Sequence, residues 1–568
     1  MKSEAEDAAL GTPPPLTAEA FSSTDDESDT LIHPDSESAT THVAVSAGKI
    51  GLGTLASRVM GLVRDMTKAY FFGTGMAADA FTVAFRLPNL LRALLGEGTL
   101  SAAFVPIFGE YLTKKGRREA WALASAAWSI LALVLVAISI LGVLIAPFLV
   151  KVMAFGYRTV PGKLDLTISL TRWMFPYIVF VGLAALAMGI LNSLRHFFAP
   201  AFSPVLLNLA MIASMVIFIP RMGNVAEKQI YALAGGVLVG GAAQLAIQIP
   251  FLRKKGMSFR FRPDWHHPGV KRILTLMLPG VVGLGVLEIN SFVDTFLGAL
   301  LQPGSVAALE YGNRLMQLPL GIFGVALGTA ILPTLAIQAA KEDFKQLRDT
   351  FSFAVRYVCF IMIPASVGLM VLRYPIIRLL FERGQFREGQ SVTMTAAALM
   401  FYAVGLCAYG SVKCVAPVFY SLKDTRTPVK TAVTAMLSNI VLNIILMQFL
   451  GLGGLALATA LSSLLNLTLL LRHLRRRLGY IKGTEMLTGV ARMWLAGGVM
   501  AAVCWVSMRL VERGGLNAGL TGRLGEVVLC GALGLGAYVL FCRVFKCPEL
   551  SFAMDVVKKR FGRGGRTK

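Results

Sequence analysis

The chain has 568 residues, of which 55% are hydrophobic and only 15% are charged, and its mean hydropathy is +0.65. Soluble globular proteins carry about 25% charged residues, and apolar runs long enough to cross a bilayer recur here from about residue 47 to residue 545. The composition therefore excludes a soluble globular protein and indicates an all-α polytopic membrane protein.

The charge is unevenly distributed along the chain. The net charge is +23, yet residues 1–48 hold ten carboxylates and one lysine. The basic residues of the remainder lie in loops between apolar runs, where membrane topology and anionic lipids account for them, so no nucleic-acid partner is expected. The seven cysteines lack C-x-x-C spacing and the histidines are few. We therefore expect no disulfide framework, no metal site for catalysis and no cofactor.

Residues 1–46 form the first segment in chain order. They are rich in Ser, Thr, Pro, Asp and Glu and hold scarcely any aliphatic clusters, so they cannot bury enough surface to fold. We expect a disordered acidic cytoplasmic tail. It is not a signal peptide, because no basic start precedes a short apolar core.

Fourteen membrane spans are predicted after this tail. Several contain Pro or Gly, as at Pro88, Gly98 and Pro106, which favours broken or kinked helices around a cavity. The spans are expected at about 47–72, 77–112, 119–150, 164–193, 200–220, 228–252, 270–301, 305–340, 347–373, 390–420, 428–450, 452–471, 486–511 and 520–545.

Alternate loops between the spans are strongly basic. By the positive-inside rule these loops face the cytoplasm, which places both termini inside and agrees with an even number of spans. The basic loops lie at residues 114–118, 253–262, 341–348, 423–426 and 472–477.

An internal repeat recurs at a spacing of about 228 residues. Phe85-Arg86-Leu87 corresponds to Asn313-Arg314-Leu315, and Val105-Pro106 corresponds to Leu332-Pro333. Each half holds six spans, and an even number gives both halves the same orientation. We therefore expect two parallel six-helix lobes related by a pseudo-twofold axis along the membrane normal, with a cavity between them. The lobes are predicted at 47–255 and 256–477.

The first span is unusually polar for a membrane helix. Arg58, Arg64, Asp65 and Lys68 occupy about one third of its circumference at 100° per residue. Snorkelling toward the membrane surface is an alternative for Lys68. A charge at bilayer depth costs at least about 2.5 kcal/mol, however, so such residues normally face a watery cavity or a partner.

Further polar residues are predicted on the second and eighth spans. Asp79, Arg86 and Arg92 belong to the second. On the eighth span, Glu310, Asn313, Arg314 and Gln317 form a stripe that Gly321, Gly324 and Gly328 continue. These glycines serve either the close approach of a ligand or the packing of helices. Several arginines around one cavity suit a phosphate or pyrophosphate, which guanidinium groups bind bidentately.

Several blocks of the sequence carry a resemblance to a known family. The first is Thr54-Leu55-Ala56-Ser57-Arg58-Val59-Met60-Gly61-Leu62-Val63-Arg64-Asp65. The others are Ala78-Asp79-Ala80-Phe81, Phe85-Arg86-Leu87-Pro88-Asn89-Leu90-Leu91-Arg92, Glu97-Gly98, Ala103-Phe104-Val105-Pro106, Asn313-Arg314-Leu315, Gly324-Val325-Ala326-Leu327-Gly328-Thr329, Phe419-Tyr420-Ser421 and Lys423-Asp424-Thr425-Arg426-Thr427-Pro428. These blocks resemble the MurJ (MviN) lipid II flippase family, and the resemblance covers about residues 47–480 and is weaker beyond.

The resemblance implies the fold of the multidrug/oligosaccharidyl-lipid/polysaccharide (MOP) exporters. It implies two further helices at 478–546 that form a groove for the lipid tail, followed by a basic cytoplasmic tail at 547–568. The implied activity is movement of lipid II across the bacterial inner membrane by alternating access. The implied partners are lipid II, membrane lipids and the cell-wall synthesis machinery. The protein would be a transporter and not an enzyme.

The resemblance also assigns site residues. Headgroup binding falls on Arg58, Arg64, Asp65, Asp79, Arg92 and Arg314. Further cavity positions are Ser57, Arg86, Glu97, Glu310, Asn313 and Gln317, and Gln317 stands where many family members have an acid. A sodium site would map to Asp294, Asn439, Asn443, Leu455 and Thr459. The alternative for the two asparagines is a hydrogen bond between helices.

One further residue and two other classes of protein complete the predictions. Lys413 lies within span ten without an assigned partner. A multidrug or other lipid-linked oligosaccharide exporter of the same superfamily is the alternative function, with aromatic and acidic cavity walls expected in a drug exporter. A membrane enzyme would need paired acids, for which only Asp79 and Glu97 are candidates, and no phosphatase or transferase motif surrounds them.

Overall fold

The computed structural model describes residues 36–93, 99–386, 389–516 and 518–562. Within these ranges the regular secondary structure is helical, without strands, which confirms the all-α fold class. Glu97 and residues 1–35 of the predicted tail lie outside them. The chain divides into residues 1–49 and 50–568, and the packing below is that of the second unit.

Nine helices correspond to the first six predicted spans. They are α1 (Ser36–Phe72), α2 (Met76–Arg92), α3 (Thr99–Lys114), α4 (Gly116–Met153), α5 (Lys163–Met174), α6 (Tyr177–Ser193), α7 (Phe198–Phe218), α8 (Ala226–Ala246) and α9 (Ile249–Lys254). Helix α1 begins before residue 47, inside the segment predicted to be disordered. Pro88 and Pro106 lie within α2 and α3, and the break predicted at Gly98 falls outside the described residues.

The remaining spans correspond to eleven helices, and one helix follows them. They are α10 (Pro268–Ala299), α11 (Ser305–Pro319), α12 (Val325–Ala340), α13 (Phe344–Val371), α14 (Arg373–Leu380), α15 (Gln390–Val404), α16 (Leu406–Ser421), α17 (Arg426–Leu450), α18 (Leu452–Leu478), α19 (Gly483–Arg513), α20 (Gly519–Val544) and α21 (Pro548–Gly562). A π-helical turn at Leu320–Gly324 joins α11 to α12.

The described helices confirm a polytopic membrane protein without fixing the number of spans. Ten of them, taken singly or as continuous stretches, are long and apolar enough to cross a bilayer, and the α15–α16 pair, bent by 42°, makes eleven. The predicted total of fourteen stays a prediction. The predicted basic tail at 547–568 contains α21, which an ion pair of 3.3 Å between Arg356 and the buried Glu549 attaches to α13.

Helix α10 contacts both predicted lobes. Near its beginning, the buried Val270 and Ile273 pack with Tyr111 of α3 and Leu123 of α4. Near its other end, Asp294 accepts a hydrogen bond of 2.7 Å from Asn443 of α17. The lobe boundary at residue 255 stays a prediction, and α10 contacts residues on both sides of it.

Helices α2 and α11 occupy equivalent places in the repeat and pack against each other. Thr82 Oγ1 donates to Glu310 Oε2 at 2.8 Å, and Ala307 N donates to Asp79 Oδ1 at 2.9 Å, and both pairs are 228 residues apart. Contacts between equivalent residues are those that a twofold axis running between two helices produces. We call the end of the bundle at which α2 and α11 begin the outer end, because the basic loops lie at the other end.

Candidate functional site

A central cavity of about 830 Å³ lies between α1, α2, α7, α10 and α11. Nine charged side chains among the described residues line it, six of them basic and three acidic, and their net charge is +3. They are Arg58, Arg64, Asp65, Lys68, Arg86, Arg92, Asp294, Glu310 and Arg314. The structure thus brings together the arginines predicted from α1, α2 and α11, and the cavity is suited to an anion.

Asp65 is the link between α1 and α11 in this cavity. The carboxylate is 1% exposed, and it accepts hydrogen bonds from Arg64 Nη2 at 2.7 Å and from Arg314 Nε at 2.7 Å. Arg64 also donates to Asn208 Oδ1 on α7 at 3.1 Å. The side chains of Arg64 and Arg314 remain 11% and 35% exposed, so both guanidinium groups keep donors directed at the cavity.

Lys68 forms a second link between the same helices. Its Nζ donates to Glu310 Oε2 at 2.7 Å and to Thr82 Oγ1 at 3.2 Å, and it lies 4.9 Å from the ring centroid of Tyr311. At 2% exposure the ammonium group does not reach the membrane surface. Snorkelling is therefore the wrong interpretation for Lys68.

Arg58 approaches the π-helical turn after α11. A Cβ atom on Gly321 would lie 1.7 Å from Arg58 Nη1, so only glycine leaves room for the guanidinium group. Within the described residues Arg58 has no carboxylate partner and remains half-buried. Gly324 and Gly328 instead face α16, at Gly410 and the Lys413 carbonyl. The glycine stripe thus serves the approach of a charged group at Gly321 and helix packing at the other two positions.

The other predicted cavity residues line the same space. Ser57, Asn313 and Gln317 face it, and Gln317 donates to Asn313 at 3.2 Å. Arg86 donates to Ser291 of α10 at 2.7 Å, and Arg92 donates to Asn89 at 2.9 Å.

Asp79 is the predicted headgroup residue that the structure does not place in the cavity. Its carboxylate is 1% exposed and accepts from Lys163 Nζ of α5 at 2.7 Å. It also accepts from the backbone N–H groups of Gly304 at 2.6 Å and Ala307 at 2.9 Å. Asp79 therefore caps the first turn of α11, where backbone N–H groups lack helical partners, and ties α11 to the first lobe.

The residues predicted for sodium form a connected polar cluster between α10, α17 and α18. Asn443 donates to Asp294 at 2.7 Å and to Asn439 Oδ1 at 2.8 Å. Thr459 donates to the Leu455 carbonyl at 2.9 Å. The buried Oδ1 of Asn443 has no hydrogen-bond partner among the described residues.

Sequence reasoning missed the neutral members of the site. Asn208, Thr82 and Ser291 each hold a charged cavity residue, but single amides and hydroxyls are common in membrane helices and give no signal of their own. Lys163, the partner of Asp79, was missed because 84 residues separate the two. Lys413 is exposed and has no partner among the described residues.

Comparison with known proteins identifies relatives along nearly the whole chain. The family described as "Lipid II flippase MurJ" matches residues 68–519. The "Probable lipid II flippase MurJ" of Vibrio cholerae is 38% identical over 491 residues, which cover 85% of this chain and 92% of that protein.

Solved structures with a similar fold include a protein of the same description. "Lipid II flippase MurJ, inward closed conformation" has a TM-score of 0.72 and 26% identity, covering 87% of this chain and 98% of its own. A multidrug resistance MATE transporter of the MOP superfamily, in an inward-facing conformation, has a TM-score of 0.61 at 16% identity, covering 76% and 99%. This second likeness shows the fold alone.

Proposed function

The chain belongs to the lipid II flippase MurJ family, and on that premise we propose that it moves lipid II across the cytoplasmic membrane, with the arginines of the central cavity holding the pyrophosphate. The observation that supports this role is the net charge of +3 that the described side chains give to the cavity lining. A pyrophosphate placed there finds guanidinium groups from three helices, and guanidinium binds phosphate oxygens in pairs.

The arginines differ in how they meet the headgroup. Arg58 has no carboxylate partner among the described residues and takes the pyrophosphate directly. Arg64 and Arg314 share Asp65, which holds them at a fixed separation and leaves their remaining donors for the ligand. A multidrug exporter of cationic compounds would need carboxylates in excess, which this cavity does not have.

Alternating access is the proposed mechanism. At the outer end, Thr74 and Ser391 hydroxyl oxygens are 2.7 Å apart and Gln385 N donates to the Tyr70 carbonyl at 2.8 Å. At the basic end, Arg272 of α10 pairs with Glu110 of α3 at 2.7 Å. Transport requires each set of contacts to separate in turn while the headgroup stays on the arginines and the lipid tail stays outside, along α19 and α20.

A sodium ion is the proposed coupling ion. Asp294 would supply a carboxylate, Asn439 and Asn443 amide oxygens, Leu455 a carbonyl and Thr459 a hydroxyl. Sodium prefers such oxygen ligands, and the unpartnered Oδ1 of the buried Asn443 fits this demand. When bound, the ion would neutralise the Asp294 carboxylate. Flipping measured in sodium and in choline buffers tests the assignment, and equal rates would contradict it.

The family and the charge pattern also support a proposal for the location and the orientation of the protein. The protein is a multi-pass protein of the bacterial inner membrane, and it acts as a transporter and not as an enzyme. Its basic loops and both termini face the cytoplasm. Its substrate is supplied, and its product used, by enzymes of cell-wall synthesis.

The test of this function is transbilayer movement of labelled lipid II in cells depleted of the wild-type protein. Arg58→Ala and Arg314→Ala should each lower flipping by about ten- to a hundredfold, because a hydrogen bond to a charged group contributes about 1.5–3 kcal/mol. Arg172→Ala, on an exposed position of α5 outside the cavity, is the matched control. Normal growth on either cavity variant at wild-type abundance would contradict the proposal.

A further inference from the structure

A second cavity, of about 680 Å³, lies at the outer end between α13, α14 and α19. It shares no lining residue with the central cavity. Among its described lining residues, three are basic, namely Arg373, Arg378 and Arg509, and one is acidic, Glu512. This excess of arginine again favours an anionic ligand, at a place that headgroup binding in the central cavity does not involve.

Two of the arginines of this outer cavity, Arg373 and Arg509, make at most weak contacts with carboxylates of the described residues. Arg373 donates to the Met370 carbonyl at 2.7 Å and has no carboxylate partner among the described residues. Arg509 pairs with Glu512 at 3.6 Å, with the two side chains 57% and 32% exposed, and exposed pairs of this kind contribute little. Both guanidinium groups therefore keep donors for a ligand.

Neighbouring charges do not reverse this balance. Glu382 lies 3.8 Å from Arg378 and 3.4 Å from Arg523 of α20, so it is shared between two arginines. The buried carboxyl of Glu526 lies on the same helix. With Glu382, Arg523 and Glu526 included, the described part of the cluster has four arginines and three carboxylates.

The cavity combines these charges with an apolar side. Met370, Val371, Ala501, Ala502 and Met508 contribute to its lining, and Trp505 does so with 53% of its surface exposed. Arg509 lies 5.7 Å from the Trp505 ring centroid, and Arg373 lies 5.0 Å from that of Tyr374. Leu510, beside Arg509, is 62% exposed, which leaves an apolar surface next to the arginines.

The cavity also lies near the ends of α13 and α19, two helices that are long and apolar enough to cross a membrane. Helix α13 ends at Val371 and α19 ends at Arg513. At a rise of about 1.5 Å per residue, Arg509 is about 6 Å below the helix end and Trp505 about 12 Å below it. Trp and Tyr are enriched where acyl chains meet headgroups, and an arginine near a helix end can reach the same level by snorkelling.

We propose that the outer cavity binds an anionic phospholipid of the leaflet at that end, with the lipid phosphate on Arg373 and Arg509 and an acyl chain along α19. A phosphodiester supplies oxygens that can accept hydrogen bonds from the two guanidinium groups, and the acyl chain packs against the exposed Trp505 and Leu510. The site is separate from the central cavity, so this proposal can be tested independently of the proposed headgroup transport.

Native mass spectrometry of the purified full-length protein tests this site. Wild-type protein should retain phosphatidylglycerol more strongly than phosphatidylcholine, and the Arg373→Ala/Arg509→Ala variant should lose about fivefold in retention for each arginine removed. Arg513→Ala, on an exposed position one turn further along α19, should behave like wild type. Arg373→Lys/Arg509→Lys, which keeps the charge and the fold, should give intermediate retention.

Three outcomes would overturn the proposal. The first is equal retention of both phospholipids by the wild type. The second is unchanged phosphatidylglycerol retention by the double alanine variant. The third is displacement of the lipid by a competitor. Displacement by millimolar inorganic phosphate would assign the cavity to a free anion. Replacement by a prenyl pyrophosphate at lower concentration would assign it to the transported class of lipid.

Discussion

Asp65 and Asp79 are two buried carboxylates that both join the first lobe to α11, yet they lie in different surroundings. Asp65 is held by arginines that are 11% and 35% exposed to the cavity. Asp79 is held by Lys163, whose side chain is 2% exposed, and by backbone N–H groups. The first set has donors left for a ligand, while the second is closed upon itself. Burial of the partners therefore separates a binding role from a structural one.

The largest expected effect comes from breaking the Asp79 cluster. Asp79→Ala should lower the stability of the purified protein by about 3–5 kcal/mol, because it leaves the buried Lys163 ammonium unpaired. Abundance and melting temperature measure this loss. Asp79→Ala/Lys163→Met should restore most of both, since the double variant removes the two charges together and leaves only the N–H groups of Gly304 and Ala307 without their acceptor.

Asp65→Ala supplies the other half of this comparison. It should abolish lipid II flipping with a smaller change in melting temperature, because Arg64 and Arg314 can hydrate from the cavity. If Asp79 instead bound the headgroup, the Asp79→Ala/Lys163→Met protein would be abundant and inactive, and the distinction drawn from burial would fail.

An intermediate effect is expected from fixing the outer end, where Thr74 and Ser391 hydroxyl oxygens are 2.7 Å apart. Cysteines at both positions suit the geometry of a disulfide. Six of the seven native cysteines are buried and compete little. Oxidation should stop flipping, and reduction should restore it.

Thr74→Cys alone is the control for this cross-link. Because a single cysteine cannot bridge the lobes, its flipping rate should not respond to oxidant. If the oxidised double variant flipped lipid II as fast as the same variant after treatment with a reducing agent, the outer contacts would not need to separate during transport.

The smallest effect is expected at a third carboxylate, Asp424, outside the membrane spans. Hydrogen bonds from Thr427, followed by the charge of Arg477, hold the pKa of Asp424 below its ordinary value of 3.8. A lowered pKa in the folded state stabilises the fold at pH values above 3.8, and this contribution disappears as the pH falls through the folded value.

Asp424→Asn should therefore lower the melting temperature at pH 7 by an amount that corresponds to less than about 1 kcal/mol. The difference from wild type should shrink at pH 3. A constant difference at both pH values would assign the effect to packing and not to charge.

The sequence predicts the charged part of the site because charge is rare inside apolar helices. Arg58, Arg64, Asp65 and Arg314 stand out for that reason, and the cavity contains all four. Asp79 stood out equally, but its partner on α5 and the α11 N–H groups depend on tertiary contact that no local pattern records. The helix positions were similarly readable from apolar runs.

The features that could not be predicted are those that depend on packing between distant segments. Asn208 is an ordinary amide in an apolar helix until Arg64 is seen beside it. The bridging position of α10 follows from its two different sets of neighbours, whereas its sequence places it in the second lobe. The π-helical turn beside Gly321 has no periodic signature of its own.

The contact between Thr82 and Glu310 has a consequence for the origin of the two halves. If a duplicated gene produced the two halves, the ancestral unit paired with a second copy of itself. The ancestral residue that corresponds to both Thr82 and Glu310 then faced the same residue of the other copy. Glutamate facing glutamate would repel, and threonine facing threonine would leave Lys68 without a carboxylate. The present pair of Thr82 and Glu310, bonded at 2.8 Å with Lys68 at 2.7 Å, therefore required the copies to diverge. An ancestral homodimer could not have held a single lysine in this way on its symmetry axis.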